Sequence, residues 1–567
     1  MPRRPASLVA GGALLAALRW DIPFALPKSP VQVPTSFTEQ FAGKLPANFS
    51  WEEFLEASKR PVRPCIRVNA LKGGNLQSVR RLGAANSWRP ARPVAWSPDG
   101  YWVQPVAPIA VAAPDEEAEL PSAWAKLATK KTPKKFRQRL EPEAALSTSA
   151  GAPRAVAWSK DAAVQSGQVY VQEASSLLPV AALRQAVGDV PPKSFRVLDL
   201  AAAPGGKTTA LAAWLAQSDG AVVANEPNVD RCKALVENLL RTGSMPWAAV
   251  TQMDGRHCGR SWPQAFDAVL LDAPCSGESL TRRGEDIADA LDQSPAYIAG
   301  LSKLQRQLAT SAFEALRVGG VLVYSTCTLN IQENEAVCAF LEDSFPGLIE
   351  RLPLDDLPGT ESMQTVDGCL RCWPQLSDTQ GFFVARFRKI GSSPSVEAPP
   401  PAPGDSKTLE PLVPREVQAV ERAFLSSFGA CLGLAGGELH RRNKEVWLLP
   451  KALRDFVFFG PRRCGIRLAA TRRHDLSYPA HMEWVLSFGH LLPADSLGVA
   501  ELSHEAAKAF CAGEDVEPLW TRATAVAVEN SQAVVRYHDL TLGLARWKKG
   551  ILRNDVPAQW RCPDIAL

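Results

Sequence analysis

The feature that most restricts what this chain can fold into is an alternation of short apolar strands with amphipathic helices across residues 195–325. Phe195–Leu200 reads as a buried strand ending in a turn, and Lys207–Leu215 as the helix after it. Ala221–Glu226 is a second strand, and the next helix puts Val229, Cys232, Leu235, Val236, Leu239 and Leu240 on one stripe before Gly243 closes it. Strands at Ala248–Gln252, Phe266–Leu271 and Val321–Ser325 continue the pattern, with a helix at Leu301–Leu316 between the last two. Strands separated by helices pair in parallel, and the helices then cover both faces of the sheet. The expected fold class is α/β with a Rossmann-like sheet, whose ligands bind at the carboxyl ends of the strands.

At 567 residues the chain exceeds one compact core, and roughly 150 residues per domain predicts three or four domains. Hydrophobic residues at 46% and charged residues at 22% exclude a disordered tail, a fibre and a multi-span membrane protein. With 63 Lys+Arg against 59 Asp+Glu the net charge is only +4, so a polyanion would have to be held by local basic patches rather than by a whole-molecule field. Twelve cysteines without close regular spacing point to free thiols in a reducing intracellular compartment, not to a disulfide scaffold.

Residues 1–35 carry Arg3 and Arg4 before an apolar run, Leu8–Leu18, that is too short to cross a bilayer. They read as a leader, a transit segment or an ordinary helix. Two connectors divide the rest. One is 107–160, rich in Ala and Pro with a basic cluster at Lys130, Lys131, Lys134, Lys135, Arg137 and Arg139; the other is 391–411, with a proline run at 398–403. The expected units are 36–106, 161–390, 412–500 and 501–567, in a chain expected to be a monomer and without a membrane span.

The turn after the first strand is Ala201-Ala202-Ala203-Pro204-Gly205-Gly206-Lys207-Thr208. Its glycines allow close backbone approach, and the helix behind it offers free N–H groups. A phosphate-binding loop would need glycine where Ala201 stands. Asp199, Glu226, Asp254 and Asp272 all fall at strand ends around the same crevice, where four acids would repel a polyphosphate. They suit a ligand with a cationic centre, a ribose diol and an adenine edge, which describes S-adenosylmethionine. Glu226 stands about 20 residues past the glycines, where an acid accepts from ribose hydroxyls. The competing reading is a strand-turn-helix corner with incidental acids.

Cysteine is most often a small buried hydrophobe, which is the reading for Cys232 and Cys338. Cys275 and Cys327 differ, because each follows a strand at the edge where the ligand should sit. Carbon 5 of cytosine is a weak nucleophile, and a thiolate adding to carbon 6 makes it enamine-like and able to attack a methyl sulfonium. The thiolate needs positive surroundings, which a helix starting near Gln332 and the pair Arg282-Arg283 could supply.

Asp199–Thr208, Asp272–Gly277 and Ser325–Thr328 resemble the signature motifs of the RNA cytosine-C5 methyltransferases, the NOL/NOP/SUN family. Tyr170–Ser176, Ser325–Cys338 and Gly381–Arg386 are similar to its bacterial small-subunit rRNA branch in particular, and Arg67–Lys72 to its N-terminal RNA-facing motif. The resemblance runs from about Val62 to Lys389 apart from the first connector. It implies an S-adenosylmethionine-dependent methyltransferase sheet behind an N-terminal RNA-facing domain, with Cys327 as nucleophile and Cys275 assisting release of the methylated base. By the same resemblance Asp272 would touch cofactor and base, while Ala201, Ala202, Ala203, Pro204, Gly205, Gly206, Lys207, Glu226 and Asp254 hold the cofactor. The sequence departs from the family where Ala201 replaces a common cysteine, and where Thr281-Arg282-Arg283-Gly284 replaces an Arg-Lys pair followed by an acid and proline.

Near the C-terminus Ala533–Tyr537 and Leu540–Arg546 read as strands, followed by Lys548, Lys549, Arg553 and Arg561 with Trp547 and Trp560 interleaved. Cations beside aromatics suit RNA phosphates and stacked bases, and the stretch resembles a PUA-like barrel in an α+β region. A solvated charged face competes with that reading. His440, His474, His481, His490, His504 and His538 lack metal-ligand spacing, and no metal is expected. The expected partner is RNA, rRNA before tRNA. The alternatives are an RNA-binding ribosome-assembly factor with an inactive domain, and a DNA cytosine methyltransferase, which would not need a second strand-end cysteine.

Overall fold

The computed structural model describes residues 33–46, 49–106, 156–278, 293–392, 409–429, 437–454, 463–471, 478–493, 495–496, 498–519 and 528–567. The apolar leader, the basic cluster of the first connector, Thr281–Gly284, the proline run and His474 lie outside them. No described helix is long and apolar enough to cross a membrane.

Among the described residues the chain builds four sheets. The first is antiparallel and contains β1 (Cys65–Val68), β2 (Trp88–Val94), β3 (Ser97–Pro105) and β4 (Val169–Val171) in the order β2-β3-β1-β4. Its last strand comes from beyond the first connector, because Val169–Val171 pairs with β1 in the register Ile66↔Val171. The N-terminal sheet therefore borrows a strand from the stretch read as catalytic.

Arg67, Asn69 and Lys72 turn inward, which departs from the RNA-facing expectation for Arg67–Lys72. They are 4%, 1% and 4% exposed. Arg67 donates to Thr209 Oγ1 at 2.7 Å and lies 5.7 Å from the Tyr170 ring, while Asn69 Nδ2 donates to the carbonyls of Gly167 and Thr242. A buried cation or amide needs fixed partners; the catalytic layer supplies those of Arg67 and Asn69, and Lys72 donates to the Leu486 carbonyl beyond the second connector. Ahead of this sheet, residues 33–58 dock through Phe37, Phe41, Phe49, Trp51 and Phe54 around Trp373.

The second sheet contains β5 (Arg196–Asp199), β6 (Ala221–Asn225), β7 (Ala248–Thr251), β8 (Phe266–Asp272), β9 (Leu316–Thr326), β10 (Ile349–Arg351), β11 (Leu370–Cys372) and β12 (Phe382–Lys389). Strands β7-β6-β5-β8-β9 are parallel, and β12 closes the far side antiparallel to β9. Strand order reverses between β5 and β8, so the crevice opens where the loops after these two strands diverge. Val197, Leu198, Val222, Val223, Val269, Leu270, Leu322 and Val323 are fully buried. Burying each such side chain contributes roughly 1.5–3 kcal/mol, which accounts for continuous apolar strands with no polar face.

The helix before β9 spans Pro295–Ala315, six residues earlier than its apolar pattern predicts, because Ser294 caps it and Pro295 occupies the first turn. On the helix Val229–Arg241, Cys232, Leu235, Leu239 and Leu240 are buried, but Val229 is exposed. It is the first helical residue after the Asn228 cap, outside the turn that meets the sheet.

Beyond the second connector, β13 (Glu410–Pro411), β14 (Gly437–Arg442) and β15 (Glu445–Pro450) join β17 (Ile466–Ala470), whereas β16 (Arg463–Cys464) leaves that sheet and pairs antiparallel with β7. The last sheet is β18 (Val499–Glu501), β19 (Gln532–Tyr537), β20 (Leu540–Lys548) and β21 (Ile551–Asn554). Trp547 is buried in its core and so cannot stack a base, contrary to the sequence reading; Lys548 and Lys549 are exposed.

Candidate active site

The turn after β5 is held by side chains from the next two strands. Asn225, at the end of β6, donates to the carbonyls of Leu200 and Met253 and accepts from Thr251 Oγ1, while its own carbonyl takes the Ala202 N–H at 2.8 Å. From the helix behind, Arg231 donates to Ala203 O at 2.8 Å and Asn238 to Pro204 O at 2.9 Å. Gly205 has φ +109°, and a Cβ there would meet Leu235 at 3.0 Å; one on Gly206 would meet the Tyr170 ring at 3.3 Å. The positive φ favours glycine at 205, and a side chain at 206 would need the Tyr170 ring to give by a few tenths of an ångström.

The four acids occupy different environments. Asp199 is buried and accepts from Thr208 Oγ1 at 2.7 Å, while its Oδ1 has no partner. Burial pushes its pKa up to about 7, and Asp272 and Glu226 add to the rise. Glu226 is also buried, accepting from the Asn228 N–H at 2.9 Å with Arg231 3.5 Å away. Asp254 lies at the more open rim, where hydrogen bonds from Arg256 pull its carboxyl down to about 2. Asp272 accepts from Lys207 Nζ at 2.7 Å and from Ser325 Oγ at 2.7 Å.

Lys207 decides between the two readings of the loop. In a phosphate loop the lysine would reach toward the ligand's phosphates. Here it pairs with Asp272 and lies 5.4 Å from the Phe382 ring. Burial pulls its pKa down, but Asp272, with Asp199 and Cys327 acting in the same direction, leaves it raised. Lys207 is thus a cation that favours a Cys327 thiolate, a role the sequence reading assigns to a helix starting near Gln332, which begins at Glu335, and to Arg282-Arg283, which lie outside the described residues. Its signal was present in the loop but was read only as cofactor contact.

Cys275 and Cys327 are brought together from the ends of β8 and β9, with their sulfurs 3.3 Å apart. Register explains the meeting, since Asp272 pairs with Ser325 across the two parallel strands and each chain continues two or three residues further. The hydrogen bond to Cys327 and then burial hold the Cys275 thiol well above its ordinary pKa, so it keeps its proton. None of the eleven described cysteines is in a disulfide. Sequence reasoning passed over Ser276, Glu278, Thr328 and Glu333, buried or half-buried polar residues beside the two cysteines. Their only signal was an unusual density of polar side chains in loops that follow core strands.

The residues fit S-adenosylmethionine. An unpartnered buried carboxylate oxygen on Asp199, a second buried acid at the end of β6 and a glycine turn backed by a helix N-terminus are what an adenosyl group with a cationic sulfur requires. Fold and site together define a Rossmann-like, S-adenosylmethionine-dependent methyltransferase.

Comparison with known proteins narrows the class. Residues 190–388 match the family described as 16S rRNA methyltransferase RsmB/F, and residues 498–562 match the methyltransferase RsmF PUA domain. The chain is 37% identical over 539 residues to ribosomal RNA small subunit methyltransferase F of Citrobacter koseri, covering 93% of this chain and 96% of that one. The protein of the same name from Escherichia fergusonii is 37% identical over 536 residues, with the same coverage. A methyltransferase homolog from Pyrococcus horikoshii is similar at 25% identity and TM-score 0.42, over 63% of this chain and 100% of that one. The chain belongs to the RsmB/F family and is an RNA cytosine-C5 methyltransferase.

Proposed function

We propose that this enzyme methylates carbon 5 of a cytosine in small-subunit ribosomal RNA, with Cys327 as the nucleophile. The observation that carries this reading is the 3.3 Å approach of Cys275 and Cys327 beside the Lys207–Asp272 pair. The substrate class follows from the similarity to relatives named ribosomal RNA small subunit methyltransferase F over nearly the whole chain.

S-adenosylmethionine, when bound, supplies a methyl group on a sulfonium. The Cys327 thiolate adds to carbon 6, forming an S–C6 bond and shifting the electron pair to carbon 5. Carbon 5 takes the methyl as the methyl–sulfur bond breaks, and that bond's electron pair stays on the sulfur, leaving a neutral thioether. The proton at carbon 5 then passes to a water molecule, its electron pair returns to the ring as the C5–C6 double bond, the C6–S bond breaks and the Cys327 thiolate is restored. Lys207 favours the thiolate electrostatically, Asp272 orients the base and fixes Lys207, and the protonated Cys275 assists release. Ala201–Lys207, Glu226 and Asp254 hold the cofactor, with Glu226 on the ribose and Asp254 at the adenine edge.

Bisulfite sequencing of total RNA from cells with and without the protein tests the reading. The expected result is one or a few protected cytosines in small-subunit rRNA that depend on the protein. Protein-dependent protection in tRNA alone would move the substrate, and none in any RNA would sink the proposal.

A further inference from the structure

Each cysteine is followed by a hydroxyl residue: Cys275 by Ser276 and Cys327 by Thr328. Each loop also carries one carboxylate that is almost fully inaccessible, Glu278 at 2% exposure and Glu333 at 0%. The two carboxylates cross over. Glu278, on the Cys275 loop, accepts from Thr328 Oγ1 at 3.0 Å and from Asn330 Nδ2 at 2.9 Å, both on the Cys327 loop. Glu333, on the Cys327 loop, accepts the Ser276 N–H at 2.9 Å and the Ser276 hydroxyl, both on the Cys275 loop. The hydroxyls of Ser276 and Thr328 lie 3.0 Å apart at the centre of the crossing. Gln305 fastens the assembly to the helix Pro295–Ala315, donating to Glu333 Oε2 at 2.7 Å and to Pro274 O at 2.9 Å.

We propose that Glu278 and Glu333 are positioning residues that form a reciprocal clamp, fixing the sulfur of Cys275 against that of Cys327 through the hydroxyls of Ser276 and Thr328. Neither glutamate touches the reacting base in this account. Two buried acids so close together cost free energy to keep, and a merely structural junction would be served as well by apolar packing. What the crossing adds is a defined separation between two loops whose cysteines work in sequence on one carbon–sulfur bond. A shift on the order of 1 Å at such a pair costs about a hundredfold in rate. This inference rests on the roles proposed above for Cys327 and Cys275.

The test measures kcat, the KM for RNA, and covalent protein–RNA adduct on denaturing gels for the full-length enzyme and its variants. Glu333→Gln and Glu278→Gln should each lower kcat about a hundredfold with KM for RNA nearly unchanged, and should accumulate adduct because release is slowed. The double variant should fall within about twofold of the weaker single variant, as expected of groups acting as one unit. Thr328→Val should accumulate adduct and Thr328→Ser should not, a comparison that holds even if a glutamine variant folds poorly. Cys275→Ala is the control. If the control accumulates adduct while the clamp variants do not, or if the two glutamines act additively, the clamp is overturned. If the control itself yields no adduct, the release role of Cys275 is overturned, and the clamp with it.

Discussion

Lys207 Nζ lies 2.7 Å from Asp272 Oδ2, joining the glycine turn after β5 to the end of β8 across the point where strand order reverses. The pair ties cofactor loop to base-facing loop, and it places an ammonium group within electrostatic reach of Cys327. Lys207→Met keeps the length of the side chain and removes the charge. The expected loss is on the order of 10² in kcat, larger than any change in cofactor affinity measured by calorimetry. Unchanged kcat would remove Lys207 from the chemistry.

Cys327→Ala should abolish methyl transfer to RNA while S-adenosylmethionine still binds. Cys275→Ala should instead retain RNA in a covalent complex that survives denaturing electrophoresis. Radiolabelled methyl incorporation and the gel distinguish the two roles, and full activity of the Cys327 variant would refute the assignment of the nucleophile.

Asp199 gives the fold a pH dependence of definite sign. Its carboxyl titrates at about 7 in the folded protein because it is buried, against roughly 3.9 in an unfolded chain. The folded state therefore binds the extra proton between these values. Its contribution to stability is full below about pH 4, declines as pH rises and is lost above about 7. Asp199→Asn imitates the neutral acid and lacks this term. Urea denaturation should show wild type losing stability relative to the variant from pH 4 to 7, with a constant difference above. A difference that is flat throughout would contradict a neutral buried Asp199.

The Trp373 ring packs edge-on against Phe41 and Phe49, with ring centres 5.1 and 4.6 Å apart, and the same N-terminal segment accepts the Ile331 N–H on Gln40 Oε1 at 2.9 Å. Trp373→Ala should cost about 3–5 kcal/mol of stability by cavity formation. Because Ile331 lies in the loop after Cys327, activity should fall at temperatures well below the unfolding midpoint. Activity that tracks the folded fraction alone would show that the docking is only structural.

At the C-terminal sheet, Lys548→Ala with Lys549→Ala should weaken RNA binding and make the plot of log affinity against log salt shallower by about 1.5–2, one phosphate contact for each lysine. Trp547→Phe, which keeps the core filled, should leave that slope unchanged, since the ring is core and does not stack a base. Filter binding at several salt concentrations measures both.

The parallel sheet was legible because its strands are buried on both faces, with apolar centres and polar residues mainly toward their ends. The same burial made Asp199, Glu226 and Asp272 conspicuous at the strand ends. Helix starts were less legible where the signal was a cap, as at Ser294, rather than apolar spacing. Arg67 and Trp547 misled for one reason: a cation or an aromatic ring in a sequence does not reveal whether its partners are solvent, nucleic acid or the next domain. The crossing of Glu278 and Glu333 was beyond reach, because it depends on two loops 50 residues apart at Thr328 and Glu278 meeting after the sheet has formed.

The two residues Arg463 and Cys464 extend the catalytic sheet at β7 from a point beyond the second connector. Amputation of the chain at that connector would uncover the backbone of Ala248–Thr251, an apolar rim open to adhesion between copies. The accessory region thus serves as a hem, and a shortened enzyme should be soluble only if something else is sewn onto that border.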